Sequence, residues 1–430
     1  MTDGSSTAHL FRPKLATIRA EGYDQKSLRK DAIAGLTVAI VALPLSMAIA
    51  VGSGVSPERG LYAAIVGGFL VSALGGSRFQ IGGPAGAFIV LVAAAAARYG
   101  LDGLLLAVMM SGFFLILVGL SRLGALIRYI PEAVTVGFTC GIAVIILASQ
   151  LRDLGGLTLT GVEPGHLIAK LIALARALPS VNPAALGVGV GTAALIFALN
   201  RWRPLWPSML IAVVLASMAG AVLHLPIETI ASRFGGIPNG LPYPALPPVT
   251  LSRLLELLPI ALSFTLLGGV ESLLSAKIAD GMTGRHHRYN MELVAQGIAN
   301  IGSGLFGGIC VTGTIARTAT NIRAGARSPV AGLLHALFLL VFMLVAAPLA
   351  NFIPLAALAG LLLVVCWNMA EKRAFAHLLR HWSTAVVLLA TFLLTLAADL
   401  TVGIVAGCAA AAVVAALTRR SGRQPLPGPG

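Results

Sequence analysis

The chain has 430 residues, 57% hydrophobic and 11% charged, with mean hydropathy +0.91 and a formal net charge of +14. So apolar a chain of this length is a polytopic membrane protein, which excludes a soluble domain. The positive charge follows the membrane topology along the chain, so no nucleic-acid partner is expected.

The first thirty-one residues, MTDGSSTAHLFRPKLATIRAEGYDQKSLRKD, are polar and basic without an early apolar core, so no cleavable signal is expected. Beyond them, windows of about 15–22 apolar residues give fourteen candidate spans. They cover 32–52, 60–75, 84–98, 103–121, 131–150, 183–200, 207–224, 254–277, 291–306, 313–324, 328–350, 354–370, 383–398 and 401–418. The last two nearly touch, separated around Asp399. With this count, twenty-two of the thirty lysines and arginines fall on the side of the two termini and seven on the other. That bias predicts both ends in the cytoplasm of a bacterial inner-membrane protein. The stretch 165–180, GHLIAKLIALARALPS, has the spacing of an interfacial amphipathic helix.

Two spans are broken in the same way. The third opens with RFQIGGPAGAFIV (78–90) and the tenth with GGICVTGTIARTA (307–319), each third in its set of seven. Sets of odd number place the second copy inverted in the membrane. Short, Gly/Pro-broken segments at matching positions of two halves mark a transporter's binding site. If each becomes helical only at mid-membrane, its first-turn amides lack partners and present partial positive charge, which suits an anion. The expected substrate contacts are Ala85, Gly86 and Ala87 at the first start, and Gly313, Thr314, Ile315, Ala316 and Arg317 at the second. Ser46 and Ile49 join them from the first span, where Pro44 interrupts the helix. The rival reading of such glycines is close helix packing, which is preferred for Gly75, Gly76, Gly268 and Gly269.

Few ionisable residues lie deep within spans. Arg317 is not expected to face lipid, where a charge costs several kcal/mol, and its preferred role is anion attraction. Glu271, in TLLGGVESLLSAK, shares a helix face with Ser275 one turn on. Three roles stay open for it: a proton carrier, a sodium ligand with Ser275 as a second oxygen, or a structural partner of Arg317. Asp399 and Arg323 read as structural residues near interfaces. His286 and His287 are a poor metal motif. The four cysteines, Cys140, Cys310, Cys366 and Cys408, suit neither zinc nor a disulfide framework. No nucleophile–base pair or phosphate loop supports an enzyme, and no cofactor is expected.

Several stretches resemble the SulP anion transporters, also called solute carrier family 26, from about Lys30 to Arg420. The resemblance is strongest in ESLLSAKIADGMTGRHHRYNMELVAQGIANIGSGLFGGICVTGTIARTATNIRAGARSPVAG (271–332). It continues in VSPERGLYAAIVGGFLVSALGGSRFQIGGPAGAF and in FGGIPNGLPYPALPP (234–248). The pattern from Glu271 onward is similar to bacterial members that take up C4-dicarboxylates with protons, while LPLSMAIAVGSG is similar to members that move bicarbonate with sodium.

The resemblance implies an all-α fold of fourteen spans in two inverted repeats, with short strands before half-helices three and ten. It implies a cytoplasmic tail (1–31), core segments 1–4 (32–121), gate segments 5–7 (122–224) and an extracytoplasmic loop (225–253). Core segments 8–11 (254–350), gate segments 12–14 (351–418) and a short tail (419–430) follow. The core then moves against the gate like an elevator, with substrate between the two half-helices. The segment-eight carboxylate of many members matches Glu271, and the arginine after the tenth helix start matches Arg317.

The sequence departs from the pattern at several points. Leu45 stands where vertebrate-type members often have a glutamine. The sodium-coupled members have an aspartate and a threonine at the positions of Glu271 and Ser275, and a threonine near Ala85. The tail TRRSGRQPLPGPG is too short for the cytoplasmic STAS domain that most members carry. The expectation is a secondary active anion transporter, with proton-coupled uptake of a C4-dicarboxylate such as fumarate preferred over sulfate or sodium-coupled bicarbonate. An uncoupled anion channel is the rival of another class. A nucleobase symporter is disfavoured because the tenth segment carries Arg317 and no acid. A homodimer through the gate segments is compatible with the resemblance, and nothing in the chain fixes it.

Overall fold

The computed structural model describes residues 11–124, 131–159, 161, 164, 167–204, 206–398 and 400–420, and Asp399 lies outside them. Each of the fourteen apolar windows contains helix. Helix α1 (Leu15–Glu21) precedes α2 (Gln25–Gly52), which starts where the Asp24 side chain accepts from the Ser27 amide at 2.8 Å. The second window is α3 (Pro57–Tyr62), a π turn (Ala63–Gly67) and α4 (Gly68–Leu74).

The third window starts with an extended pair, β1 (Gly82–Gly83), and a 3₁₀ turn (Gly86–Phe88). Windows three and four then form one long run, α5 (Ile89–Leu120), broken at Gly100, whose φ of 68° and ψ of −177° no L side chain adopts comfortably. Two helices therefore meet there end to end.

Helices α6 (Glu132–Gly155), α7 (Leu167–Ala177), α8 (Pro183–Trp202) and α9 (Ser208–Val222) follow. The expected amphipathic stretch is α7, which buries only Leu174 among its side chains. After the short α10 (Ile230–Phe234) come α11 (Leu251–Thr283), opened by a Thr250 cap on the Arg253 amide and closed by left-handed Gly284, and α12 (Tyr289–Leu305). Next are β2 (Thr312–Gly313), α13 (Ile315–Arg323) and α14 (Val330–Ala350). The chain ends through α15 (Leu355–Met369), α16 (Lys372–Leu378), α17 (Trp382–Ala397) and α18 (Leu400–Arg420).

Among the described residues seven helices are long and apolar enough to cross a membrane, and three shorter ones are apolar. The tenth window differs from the rest: only nine residues of it, Ile315–Arg323, are helical.

Two sets of helices pack within themselves. In one, α12 and α11 lie on α5, α14 lies on α2, and α13 touches both α2 and α11. In the other, α15 and α17 lie on α6, α8 on α15, and α18 on α17. Helix α15 also reaches α2 across the seam. In the first set α5 and α12 come unusually close: a Cβ on Gly112 would run into the Gly297 carbonyl, and one on Gly297 into that of Gly112. Small residues allow this backbone-to-backbone approach.

Candidate functional site

Strands β1 and β2 pair antiparallel, Gly82 with Gly313 and Gly83 with Thr312, so the third and tenth windows cross at their starts. Two-residue strands cannot hold themselves, and the surrounding side chains supply the support. From α12, Asn300 accepts from the Val311 amide at 2.9 Å and donates to the Val311 carbonyl at 2.9 Å. Gln296 donates to the same carbonyl. Thr312 Oγ1 donates to the Gly268 carbonyl at 3.2 Å. On the other strand, Gln80 Nε2 donates to Ser272 Oγ at 2.8 Å, and Ser272 donates onward to Gln296 Oε1 at 3.3 Å. Asn321 donates to the Phe79 carbonyl at 2.9 Å. The crossover is thereby braced by α11, α12 and α13.

Past the strands the bonding pattern changes. The residue before each helical start, Ala85 or Thr314, gives no side-chain cap. Thr314 has the hydroxyl a cap needs, but its Oγ1 donates at 3.1 Å to the Ile81 carbonyl on the opposite strand. The first-turn amides of α13 thus keep their partial positive charge uncompensated by a side chain.

Arg317, one turn into α13, is 1% exposed. Its Nη2 donates to Ser46 Oγ at 3.0 Å and to the Pro84 carbonyl at 3.3 Å, joining α2, the β1 exit and α13. Its Nε and Nη1 have no partner among the described residues. A side chain at Gly83 would enter the guanidinium itself, which explains a glycine there.

The structure brings most of the expected residues together but not all to the surface. Ala316 is exposed and Gly86 and Ile315 are half-buried, so both helix starts are reachable. From Gly86 the view is to α15: a Cβ there would stand 3.8 Å from Met369 Sδ and 3.9 Å from Val365. Gly313 and Thr314 are buried in the crossover, and Ala85 shows 7% of its surface. Ile49 and Ala87 are 2% and 1% exposed and line the packing beneath the site instead of its opening. Ser46 is buried and reaches the site through Arg317.

Glu271 is half-buried on α11, and its Oε2 has no hydrogen-bond partner among the described residues. Among the described residues Glu271 forms no ion pair with Arg317, whose hydrogen bonds go to Ser46 and Pro84. Ser275, fully buried, donates to Thr318 Oγ1 at 3.3 Å, and Thr318 also accepts from the Ile81 amide at 3.1 Å. Its hydroxyl is thus committed to the brace.

Gln80, Ser272, Gln296, Asn300, Thr318 and the Pro84 carbonyl belong to the site's framework without having been expected there. Gln296 and Asn300 did carry a signal: two amides four residues apart in the apolar run ELVAQGIANIGSGLFG. Arg323 is exposed. His287 Nδ1 pairs with Asp280 at 2.6 Å.

Comparisons with known proteins bear on the family and the fold. The sulfate permease family matches residues 28–393. The chain is 43% identical over 393 residues to the candidate sulfate transporter YvdB of Bacillus subtilis, covering 90% of this chain and 74% of that protein. It is 33% identical over 400 residues to the bicarbonate transporter BicA of Picosynechococcus, covering 89% and 69%. Among solved structures, the transmembrane domain of a cyanobacterial BicA superposes with a TM-score of 0.81 at 33% identity, over 89% of this chain and 98% of that one. Murine solute carrier 26 family member A9 gives 0.85 at 20% identity, over 97% and 73%, a likeness of fold.

Proposed function

The chain belongs to the sulfate permease family, and on that premise we propose that it is a secondary active transporter of a small oxyanion in a bacterial inner membrane. The observation that carries this reading is the pair of uncapped helix starts joined by β1 and β2, with unpaired Arg317 nitrogens beside them. Such a place attracts a small anion through backbone dipoles and one guanidinium. The substrate contacts are the first-turn groups around Gly86, Ile315 and Ala316, with Thr314 and Ser46 holding the frame.

The named relatives favour sulfate or bicarbonate as the anion, and a C4-dicarboxylate such as fumarate is the rival. Coupling is to protons. Glu271 has a carboxylate oxygen free of partners, while Ser275, the expected second oxygen for sodium, is engaged with Thr318. A carboxyl group at this depth is suited to carrying a proton across. Fourteen spans in two inverted repeats, a core of spans 1–4 and 8–11, and a gate of spans 5–7 and 12–14 fit the two sets of packed helices. Both termini then lie in the cytoplasm, and the core carries the site past the gate.

The test is uptake of labelled sulfate, bicarbonate and fumarate into proteoliposomes, under an inward proton gradient, a sodium gradient or neither. Accumulation of one anion above equilibrium under the proton gradient is the expected result. Current without accumulation would replace the transporter with a channel, and dependence on sodium alone would remove Glu271 as proton carrier.

A further inference from the structure

One histidine stands apart from everything described so far. His335, the one ionisable residue of α14, is 0% exposed, and neither Nδ1 nor Nε2 meets a partner among the described residues. Its surroundings locate it. A Cβ on Gly35 of α2 would stand 3.0 Å from the His335 backbone nitrogen. A Cβ on Gly68 of α4 would stand 3.7 Å from its Cε1 and 2.9 Å from the Gly82 carbonyl of β1. One turn earlier, Gly332 abuts Ser72, whose hydroxyl also lacks a partner, and Ile81. The ring therefore lies against the crossover.

The next residue of β1, Gly83, abuts the guanidinium of Arg317. The stretches packed around His335, 35–46 of α2, 67–72 of α4 and 79–88 through β1, hold no ionisable residue. A buried histidine that serves only packing normally satisfies at least one ring nitrogen, and orphaned buried polar groups are few in native proteins. Here the orphan ring and the orphan guanidinium nitrogens share one neighbourhood. Two uncompensated positive charges do not coexist in such an interior. An anion against Arg317 changes that balance, because its charge offsets the guanidinium.

We propose that His335 is an anion-conditional proton site, taking up one proton when an anion rests against Arg317 and releasing it when the anion leaves. The proton comes from water and returns to it; no bond to the anion forms or breaks. This rests on the anion-transport reading and adds a second proton carrier, independent of Glu271, whose occupancy is tied to the substrate itself.

The experiment counts protons at equilibrium, without transport. Purified full chain in detergent and weak buffer is titrated with sulfate, and separately with fumarate, while a pH dye reports protons taken up and calorimetry reports anion bound. Binding-linked proton uptake is expected in the wild type, with about one proton fewer per bound anion in His335→Gln. Glu271→Gln should retain the His335 share. His335→Asn serves as the second neutral variant if His335→Gln does not fold. Unchanged uptake in a variant that binds, or wild-type binding without any uptake, overturns the proposal while leaving anion transport standing. Failure of the wild type to bind either anion removes sulfate and fumarate as substrates and overturns this proposal with them.

Discussion

The two ends of the same short segment, Val311 and Arg317, are treated in opposite ways. Val311 has its amide and carbonyl both held by Asn300, with Gln296 as a second donor. Six residues on, Arg317 keeps two nitrogens without partners in an equally buried place. On the proposed function the difference separates scaffold from site: hydrogen bonds are completed where position must be fixed and left open where the proposed anion would complete them. The same contrast runs along the other strand, where Gln80 is tied to Ser272 and Gly86, past the uncapped Ala85, is left reachable.

The contrast can be broken most severely at its fixed end. Asn300→Ala orphans the buried Val311 amide, at a cost of about 1–3 kcal/mol. The protein should lose thermal stability in detergent and all uptake; an unshifted melting curve would show that the brace is dispensable. At the open end, Arg317→Ala should leave the fold standing but weaken anion binding on the order of tenfold to a hundredfold, the worth of a charged hydrogen bond. Unchanged affinity by calorimetry would make Arg317 structural.

Glu271→Gln sharpens the contrast without touching the anion. Anion exchange between the two sides should persist, while stimulation by an inward proton gradient disappears; retained stimulation would assign coupling elsewhere. A smaller effect is expected for Ser46→Ala, which removes one donor–acceptor contact from the guanidinium: about a fivefold loss of affinity, near 1 kcal/mol. Wild-type affinity there would mean that Pro84 alone orients Arg317.

The smallest effect lies outside both ends. The Ser27 hydrogen bonds hold the Asp24 carboxyl below its ordinary value. Its capping contribution is therefore fully present above the usual carboxylate range and is lost as pH falls through the lowered value. Asp24→Ala should erase that slight acid dependence of the melting temperature and leave transport alone.

How much of this was legible in the sequence depends on distance along the chain. The helical windows were, because apolar runs are local, and so were the two interruptions, because glycine and proline mark them in place. Gly100 was not read as the joint of two helices meeting end to end, since it looks like any loop glycine between two apolar runs. The brace was hidden for a different reason. Asn300 finds Val311 eleven residues away, but Gln80 and Ser272 are 192 residues apart, and no pattern within either span announces the other. Ile49 and Ala87 were placed at the opening because the right helix turns carry them, yet burial depends on which face the neighbours cover. Depth likewise hid the partners of Arg317: two opposite charges in an apolar chain suggest a pair, whereas its hydrogen bonds go to Ser46 and the Pro84 carbonyl.

The contact between Gly112 and Gly297 has a consequence for motion. Where two backbones touch with no side chain between them, one helix cannot slide along the other without first lifting away from it. The part of α5 beyond Gly100 and α12 are in effect riveted. Whatever displacement carries the anion across, these two must travel as one body, and the strand that α12 holds at Val311 must travel too. Spin labels placed on the outer faces of α5 and α12 should report one narrow separation in every state of the cycle, a fixed ruler inside a moving machine.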